Sequence, residues 1–484
     1  MEQQYDVLIV GGGVVGSAIA RELARYQLRI GVLEKNQDVC FETSGRNSAV
    51  LHGGFAYETN TLKARFCVEG NQEFDRVAAE LGVPFRRTGK VLVGNTAADS
   101  EQLKCIMAQG AANHVQGLTL IDEAELHRLV PTVVGKFALF SRNSGILDPF
   151  LYTIALAENA AENGVSYHFN AEVTAIRRVK GLYCLQTNSG SFVTRWVINS
   201  AGLGCGSISA MLGLTDYKVI GSKGTYIVLD KCAGPLLPMP VYPVPNNTYM
   251  GIHVTPTVDG NVLIGPDAEY YNLALAPNYG VSQSNIDFLA QSAGNLWPHI
   301  RRSDYIRNYS GILPKWVDEQ GVIQDFKIEA NPKAPHTINL IGIESPALTA
   351  ALPIGRFVVN LLAQQESLSP NLTFHPEHKA IVRFSEQTPE VQSQLIAQDP
   401  NYGELVCRCE KVTKAELLQA IHNPLGVDTL VSIKYRTRAM MGRCQGGYCQ
   451  TRMAEMILNE KDKPVTQLLY ARNDSNLFFG RVKE

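Results

Sequence analysis

The stretch DVLIVGGGVVGSAIARELARYQLRIGVLEK, residues 6–35, reads as strand, glycine turn, helix, strand. The first strand runs from Tyr5 to Val10, and helical spacing follows in Ala18, Ile19, Leu23 and Ala24. Gly11, Gly13 and Gly16 form G-x-G-x-x-G between strand and helix, and Glu34 closes the next strand. The glycine triplet alone is a weak signal; with both strands and the acidic residue it predicts a dinucleotide-binding turn. Gly11 permits the tight turn, Gly13 lets backbone approach a pyrophosphate, and Gly16 lets helix and strand pack closely. The helix N-terminus offers free N–H groups and a positive dipole end to phosphates. Glu34 is placed to accept hydrogen bonds from ribose hydroxyls. The competing reading is a glycine turn with no ligand.

Outward from this unit, strand and helix signals keep alternating, which predicts an α/β class. RWVINSAGLG (195–204) reads as a second apolar strand. TINLIGIESPALTAALPIGRFVVNLL (337–362) reads as a strand, a glycine/proline turn and a helix. GKVLVG (89–94) and KGTYIVLD (223–230) alternate instead, predicting an antiparallel sheet interleaved with the nucleotide-binding parts. From about residue 364 to 401 the chain turns polar, punctuated by Ser367, Pro370, Pro376, Pro389 and Pro400, as a connection between domains would be.

A length of 484 residues suits roughly three units of ordinary domain size. The net charge of −2 gives no reason to expect nucleic acid or an anionic membrane as a partner. No apolar run is long enough to span a bilayer, and no signal-peptide pattern precedes the first strand. The expectation is a cytoplasmic protein without a transmembrane segment, with association at the inner face of a membrane through a partner left open.

Three further stretches carry a family resemblance. FETSGRNSAVLHGGFAY (41–57), VINSAGLG (197–204) and LIGIESPALTAALPIG (340–355) stand in order across residues 1–365. They resemble the flavin-contacting motifs of the glycine-oxidase/D-amino-acid-oxidase superfamily, and look closest to its L-2-hydroxyglutarate and glycerol-3-phosphate dehydrogenase branches. The resemblance implies FAD as the dinucleotide. It implies that Ser44, Gly45, Arg46, Asn47 and Ser48 line the flavin, with Gly202, Gly342, Ser345, Leu348, Thr349 and Ala350. For Ser44, Asn47 and Ser48 the alternative is a turn-forming role only.

On the substrate side, His52 follows the flavin loop in AVLHGG, where the related dehydrogenases present a histidine to the flavin. Oxidising a secondary alcohol requires removal of the hydroxyl proton, and an imidazole suits that task. A structural histidine bonded to backbone is the alternative. His253 is a second catalytic candidate, and Lys63 a candidate for an anionic substrate group. In the 2-hydroxy-acid and glycine-oxidase branches a segment like G-[IVL]-R-[PA] offers an arginine to the substrate carboxylate. The corresponding stretch here is SGILPK (310–315), with Leu313 in the arginine's place. Lys315 or Arg307 is then expected to compensate; otherwise the substrate is a phosphate, a sugar acid or a neutral polyol.

Of ten cysteines, Cys40, Cys67, Cys105, Cys184, Cys205 and Cys232 are isolated, and the expectation for them is small buried hydrophobes. Cys407, Cys409, Cys444 and Cys449 instead form C-x-C, thirty-four residues, then C-x4-C. Four thiolates can hold one [2Fe–2S] cluster, with residues two apart able to face the same iron. Gly446 and Gly447 let the second loop curl, and Arg408, Lys411, Arg438 and Arg443 are placed to offset the cluster's charge. Tetrahedral zinc is the competing reading. RCEKVT and GRCQGGYC resemble the bacterioferritin-associated-ferredoxin-like domain fused to anaerobic glycerol-3-phosphate dehydrogenase large subunits and to related amine and opine dehydrogenases.

The resulting expectation is a Rossmann-like FAD-binding domain interleaved with an antiparallel-sheet substrate domain, plus a small helical [2Fe–2S] domain. Residues 1–365 form the oxidoreductase, with FAD-binding parts at about 1–85, 142–215 and 335–365 and substrate parts at about 86–141 and 216–334. Residues 366–400 are a linker and 401–484 the cluster domain and tail. The expected activity is oxidation of a small secondary alcohol, glycerol 3-phosphate or an L-2-hydroxy acid. Electrons would leave through the cluster to a protein subunit or a quinone-linked acceptor. The rivals are an amine or amino-acid dehydrogenase, and a redox sensor or electron-transfer subunit without its own substrate.

Overall fold

The computed structural model describes residues 3–245, 251–273 and 277–480. Tyr249 and Met250, just ahead of His253, and the last four residues of the expected C-terminal domain lie outside them. The strand Gln3–Val10 pairs in parallel with Ile30–Leu33 on one side and Gly190–Asn199 on the other. Ile30–Leu33 then pairs in parallel with Ser166–His168, and Gly190–Asn199 with Thr337–Ile341. The hairpin of Val173–Val179 and Leu182–Thr187 and the strand Lys327–Ala330 complete this eight-stranded sheet. Val7, Leu8 and Ile9 are fully buried, as expected of a central parallel strand covered on both faces. One covering layer is helical: Val14–Leu23, Leu62–Leu81, Pro149–Glu162 and Ala347–Ala363 share a core through Ile19, Phe74, Leu156 and Val358.

The second sheet has nine strands. Its spine is the antiparallel pair Lys218–Leu229 and Tyr305–Val317. One parallel pair, Lys90–Gly94 with Val241–Pro243, interrupts an otherwise antiparallel arrangement. Val91, Val241, Ile264, Leu289 and Trp297 fill its core.

A third, separate core gathers Val406, Leu417, Ile433, Met453 and Ile457. Around it lie the helices Lys414–Ile421, Leu430–Thr437 and Gln450–Lys461 and the short pair Leu405–Cys407 and Val412–Thr413. The polar stretch leading there is strapped down. Arg21 and the Asn159 and Asn163 amides donate to carbonyls of His375, Pro376 and Glu377, and the helix Pro389–Gln398 follows.

Charge fastens this C-terminal unit to the first two. Arg436, 2% exposed, donates to Asp38 at 2.6 Å and Glu158 at 2.8 Å. Arg438 bridges Asp259 at 2.7 Å and Glu410 at 3.0 Å, and Arg383 reaches Asp148 and Asp259. The Tyr435 ring stacks on Phe150 with centroids 4.2 Å apart. Arg436→Met would leave the buried Asp38 carboxylate without its arginine and Glu158 with only His378, 3.4 Å away. Breaking a buried pair in this way costs about 3–5 kcal/mol. The variant is expected to melt earlier and to be cleaved faster within 366–400 under limited proteolysis; unchanged melting and cleavage would contradict this.

Candidate functional site

The glycine turn meets its steric requirements residue by residue. Gly11 has φ +104°, and a Cβ there would lie 2.7 Å from the Ser200 carbonyl oxygen. A Cβ on Gly16 would lie 2.0 Å from the Gly11 carbonyl oxygen. Around Gly13 only Ser44 Oγ comes near, at 3.1 Å, so the space is open on the side a phosphate would approach. Gly16→Ala therefore forces backbone apart and is expected to cost about 1–3 kcal/mol and most of the flavin. Gly13→Ala is expected to leave the fold intact and still lower flavin occupancy. Melting temperature and the flavin-to-protein absorbance ratio separate the two; a normal ratio in both variants would refute the assignment.

Glu34 closes the neighbouring strand. Its carboxylate accepts the Gly12 N–H at 2.7 Å and the Asn36 N–H at 2.9 Å. Burial raises its pKa against the pull of those donors. Residues 43–48 are stapled to the strand Tyr305–Val317: Thr43 donates to the Ile312 carbonyl, Arg46 to that of Ser310, and the Tyr309 hydroxyl to that of Asn47. Gly311 allows this, since a Cβ there would meet the Arg46 carbonyl at 2.0 Å. Ser44 Oγ accepts the Val14 N–H at 2.9 Å, and Asn47 Oδ1 accepts the Ala49 N–H at 2.8 Å. The turn-forming and cavity-lining readings of these residues are thus both present.

A cavity of about 740 Å³ runs from the glycine turn past this loop to the second sheet, a size ordinary for a cofactor site. Gly11, Gly13, Gly16, Glu34, Ser44, Arg46, Asn47, Ser48, Gly202, Ser345 and Leu348 line it. Gly45, Gly342, Thr349 and Ala350 are not among the lining residues. Gly342 packs on Trp316, and Ala350 is fully buried in the helical core. Thr349 instead positions the chain, its Oγ1 accepting the His52 backbone N–H at 3.0 Å.

At the far end the cavity is lined by His52, Tyr57, Lys90, Tyr242, His253 and Leu313. Burial first, then Lys90 and His253, hold the His52 imidazole well below its ordinary pKa, so it is neutral. The His253 ring stacks on Tyr242 with centroids 3.5 Å apart. Lys63 and Lys315 also line the cavity, but both clamp Glu344, at 2.8 and 2.6 Å. Arg307 is not among the lining residues; its guanidinium reaches Gln445 of the cysteine-rich loop at 3.3 Å. Lys90 was not foreseen. Its sequence context, an alternating strand, marks it as a surface residue, yet it is 2% exposed.

The four paired cysteines meet in the C-terminal unit. Cys407 and Cys449 are buried, Cys409 and Cys444 exposed. The thiols interact two by two, Cys407 with Cys449 and Cys409 with Cys444, so the pairs form across the two loops rather than along them. Among the described residues no three His, Cys, Asp or Glu side chains gather as a metal ion needs. Backbone N–H groups of Glu410 and Met440 face Cys407, and those of Gly446 and Tyr448 face Cys444. A Cβ on Gly442 would lie 2.3 Å from Cys409 Cβ, so the first loop is cradled closely. Of the arginines expected to offset cluster charge, Arg438 and Arg443 are turned to carboxylates and Arg408 lies over the Tyr448 ring. Among the isolated cysteines, Cys40, Cys67 and Cys205 are buried as expected; Cys105 and Cys232 are exposed instead.

A glycine turn at the head of a parallel sheet and a long cavity roofed by a second sheet define a dinucleotide-dependent oxidoreductase. Comparison with known proteins gives the particular family. Residues 6–361 match the FAD dependent oxidoreductase family, and residues 405–459 the BFD-like [2Fe-2S] binding domain. The chain belongs to that oxidoreductase family; it is an FAD-dependent enzyme with a [2Fe–2S] domain. It is 34% identical over 482 residues to a glycerol 3-phosphate dehydrogenase of Caloramator mitchellensis, covering 99% of both chains. It is 29% identical over 403 residues to a mitochondrial L-2-hydroxyglutarate dehydrogenase of Arabidopsis thaliana, covering 74% of this chain and 83% of that one. The FAD-bound L-alpha-glycerophosphate oxidase of Mycoplasma pneumoniae superposes with a TM-score of 0.73 at 28% identity, covering 78% of this chain and 98% of that one. Among the described residues no helix is long and apolar enough to cross a membrane.

Proposed function

We propose that the chain oxidises the secondary alcohol of a small anionic substrate, with glycerol 3-phosphate preferred to an L-2-hydroxy acid. The observation that carries this reading is the correspondence with the Caloramator glycerol 3-phosphate dehydrogenase along 99% of both chains, cysteine-rich segment included. Leu313 in the cavity wall supports it, because leucine offers no fork to a carboxylate. That weighs against an amino acid as substrate.

On this reading the turn at Gly11, Gly13 and Gly16, with Glu34, holds the adenosine end of FAD. Ser44, Arg46, Asn47, Ser48, Gly202, Ser345 and Leu348 surround the flavin. Cys407, Cys409, Cys444 and Cys449 hold the cluster. Bound FAD supplies a two-electron hydride acceptor and the bound cluster a one-electron carrier. His52, neutral before substrate arrives, takes the hydroxyl proton; His253 and Tyr242 form the wall beside it. Lys63 and Lys315 fix Glu344 at the cavity edge. Residues 1–365 act as the oxidoreductase and 401–484 as the exit for electrons, with a protein subunit or quinone-linked acceptor downstream. Such an acceptor would bring a cytoplasmic protein to the inner face of a membrane.

Anaerobic mixing with glycerol 3-phosphate, L-2-hydroxyglutarate and proline, followed by flavin absorbance, tests the reading. Bleaching is expected with glycerol 3-phosphate first. Bleaching by proline alone would favour the amine-oxidising rival, and bleaching by none a redox sensor.

A further inference from the structure

Lys90 is a buried cation without a counter-charge. It opens the strand Lys90–Gly94 and lines the cavity. Its ammonium lies 4.7 Å from the Phe55 ring centroid and 4.5 Å from that of Tyr242. Among the described residues no hydrogen bond or ion pair reaches it. Taking an ammonium out of water without a partner is costly, and ring faces return only part of that cost. Burial accordingly pulls its pKa down to about 8.

The other cations on the cavity wall are occupied. Lys63 and Lys315 share Glu344, Lys35 lies 3.6 Å from Glu42, and Arg46 donates to the carbonyls of Phe41 and Ser310. Lys90 is also near enough to His52 for its charge to disfavour the imidazolium. An anionic group held at Lys90 would therefore sit beside the residue assigned the proton. Apolar ring walls exclude water there, which strengthens any charge–charge contact.

We propose that Lys90 Nζ binds the anionic end group of the substrate, a phosphate monoester or a carboxylate, and thereby sets the preference for charged over neutral alcohols. The proposal rests on the alcohol-oxidising reading given above. It gives Lys90 the task that the missing arginine at position 313 leaves open.

The test compares kcat/KM for glycerol 3-phosphate with that for glycerol, in the flavin-loaded wild type, K90M and K90R. Methionine keeps the stem among the rings and removes only the charge. Removing one partner of a buried charge pair is expected to lower the ratio about 30- to 1000-fold in K90M. K90R, which keeps the charge, is expected to retain more of the preference. A structural defect would lower both substrates alike and leave the ratio unchanged; that result, or an equal loss of ratio in K90R and K90M, would overturn the proposal. Repeating the comparison with L-2-hydroxyglutarate distinguishes carboxylate from phosphate as the preferred anion. If neither anionic alcohol bleaches wild-type flavin, the proposed function fails on its own terms. Titration of flavin absorbance with inorganic phosphate then decides Lys90: a response in wild type that K90M lacks supports the anion site, while equal responses or none overturn it.

Discussion

His52→Ala is expected to lower turnover about a hundred- to ten-thousand-fold while leaving flavin content near normal. The backbone at this position is held independently of the ring. Its N–H donates to Thr349 Oγ1, and its carbonyl accepts from the Asn71 amide at 2.8 Å. Truncation therefore removes the imidazole without releasing the loop. His52 lines the cavity, and burial together with Lys90 and His253 keeps its imidazole neutral. A neutral ring can accept the hydroxyl proton. Because its pKa is lowered, the base form persists to more acidic pH than for an ordinary histidine. The acid limb of kcat/KM should then lie below the usual imidazole value of about 6.5. Anaerobic stopped-flow reduction of the flavin measures the step directly. Near-normal reduction in the alanine variant would pass the role to another group, His253 being the next candidate.

The parts of this site that were legible in the sequence are those whose physics is local. Gly16 is required by the Gly11 carbonyl of the same turn and Gly11 by its positive φ, so the motif announces itself within thirty residues of chain, although the Ser200 carbonyl that crowds Gly11 comes from far along the chain. The two cysteine loops likewise carry their meaning in spacing. Lys90 does not: GKVLVG looks like any half-exposed strand, and its burial is produced by Phe55 and Tyr242, which the fold brings in from elsewhere. Lys63 and Lys315 looked available for an anion because nothing in sequence pairs them with Glu344. Arg307 stands on the strand that lines the cavity further along, yet its own end of that strand abuts the cysteine-rich loop. The proline-punctuated stretch after residue 364 has the composition of a tether. The carbonyls it offers to Arg21, Asn159 and Asn163, Leu368 and Phe374 against the helical core, and Arg383 on Asp148 and Asp259 show instead that it is packed.

Serine at Cys409 or Cys444 is expected to abolish the [2Fe–2S] cluster and, with it, transfer to the physiological acceptor. These two are the informative positions, because they are exposed and lie outside the core. Cys407 and Cys449 are buried members of that core, so their replacement would also disturb its packing. Thiolate ligation needs all four residues, and loss of one should lower iron and acid-labile sulfide together from about two each per chain. Substrate should still bleach the flavin, since the cavity belongs to the other two sheets. Dyes that reach the flavin directly should still be reduced. The strand Tyr305–Val317 connects the two units. It touches the cysteine-rich loop at Arg307 and lines the cavity from Gly311 onward, a separation of roughly 13 Å at about 3.3 Å per residue. Protein purified without oxygen should be used, so that iron lost to air is not mistaken for a ligand effect. Unimpaired transfer to the acceptor in cluster-free C409S would exclude the relay, and stoichiometric zinc without iron in the wild type would exclude the cluster.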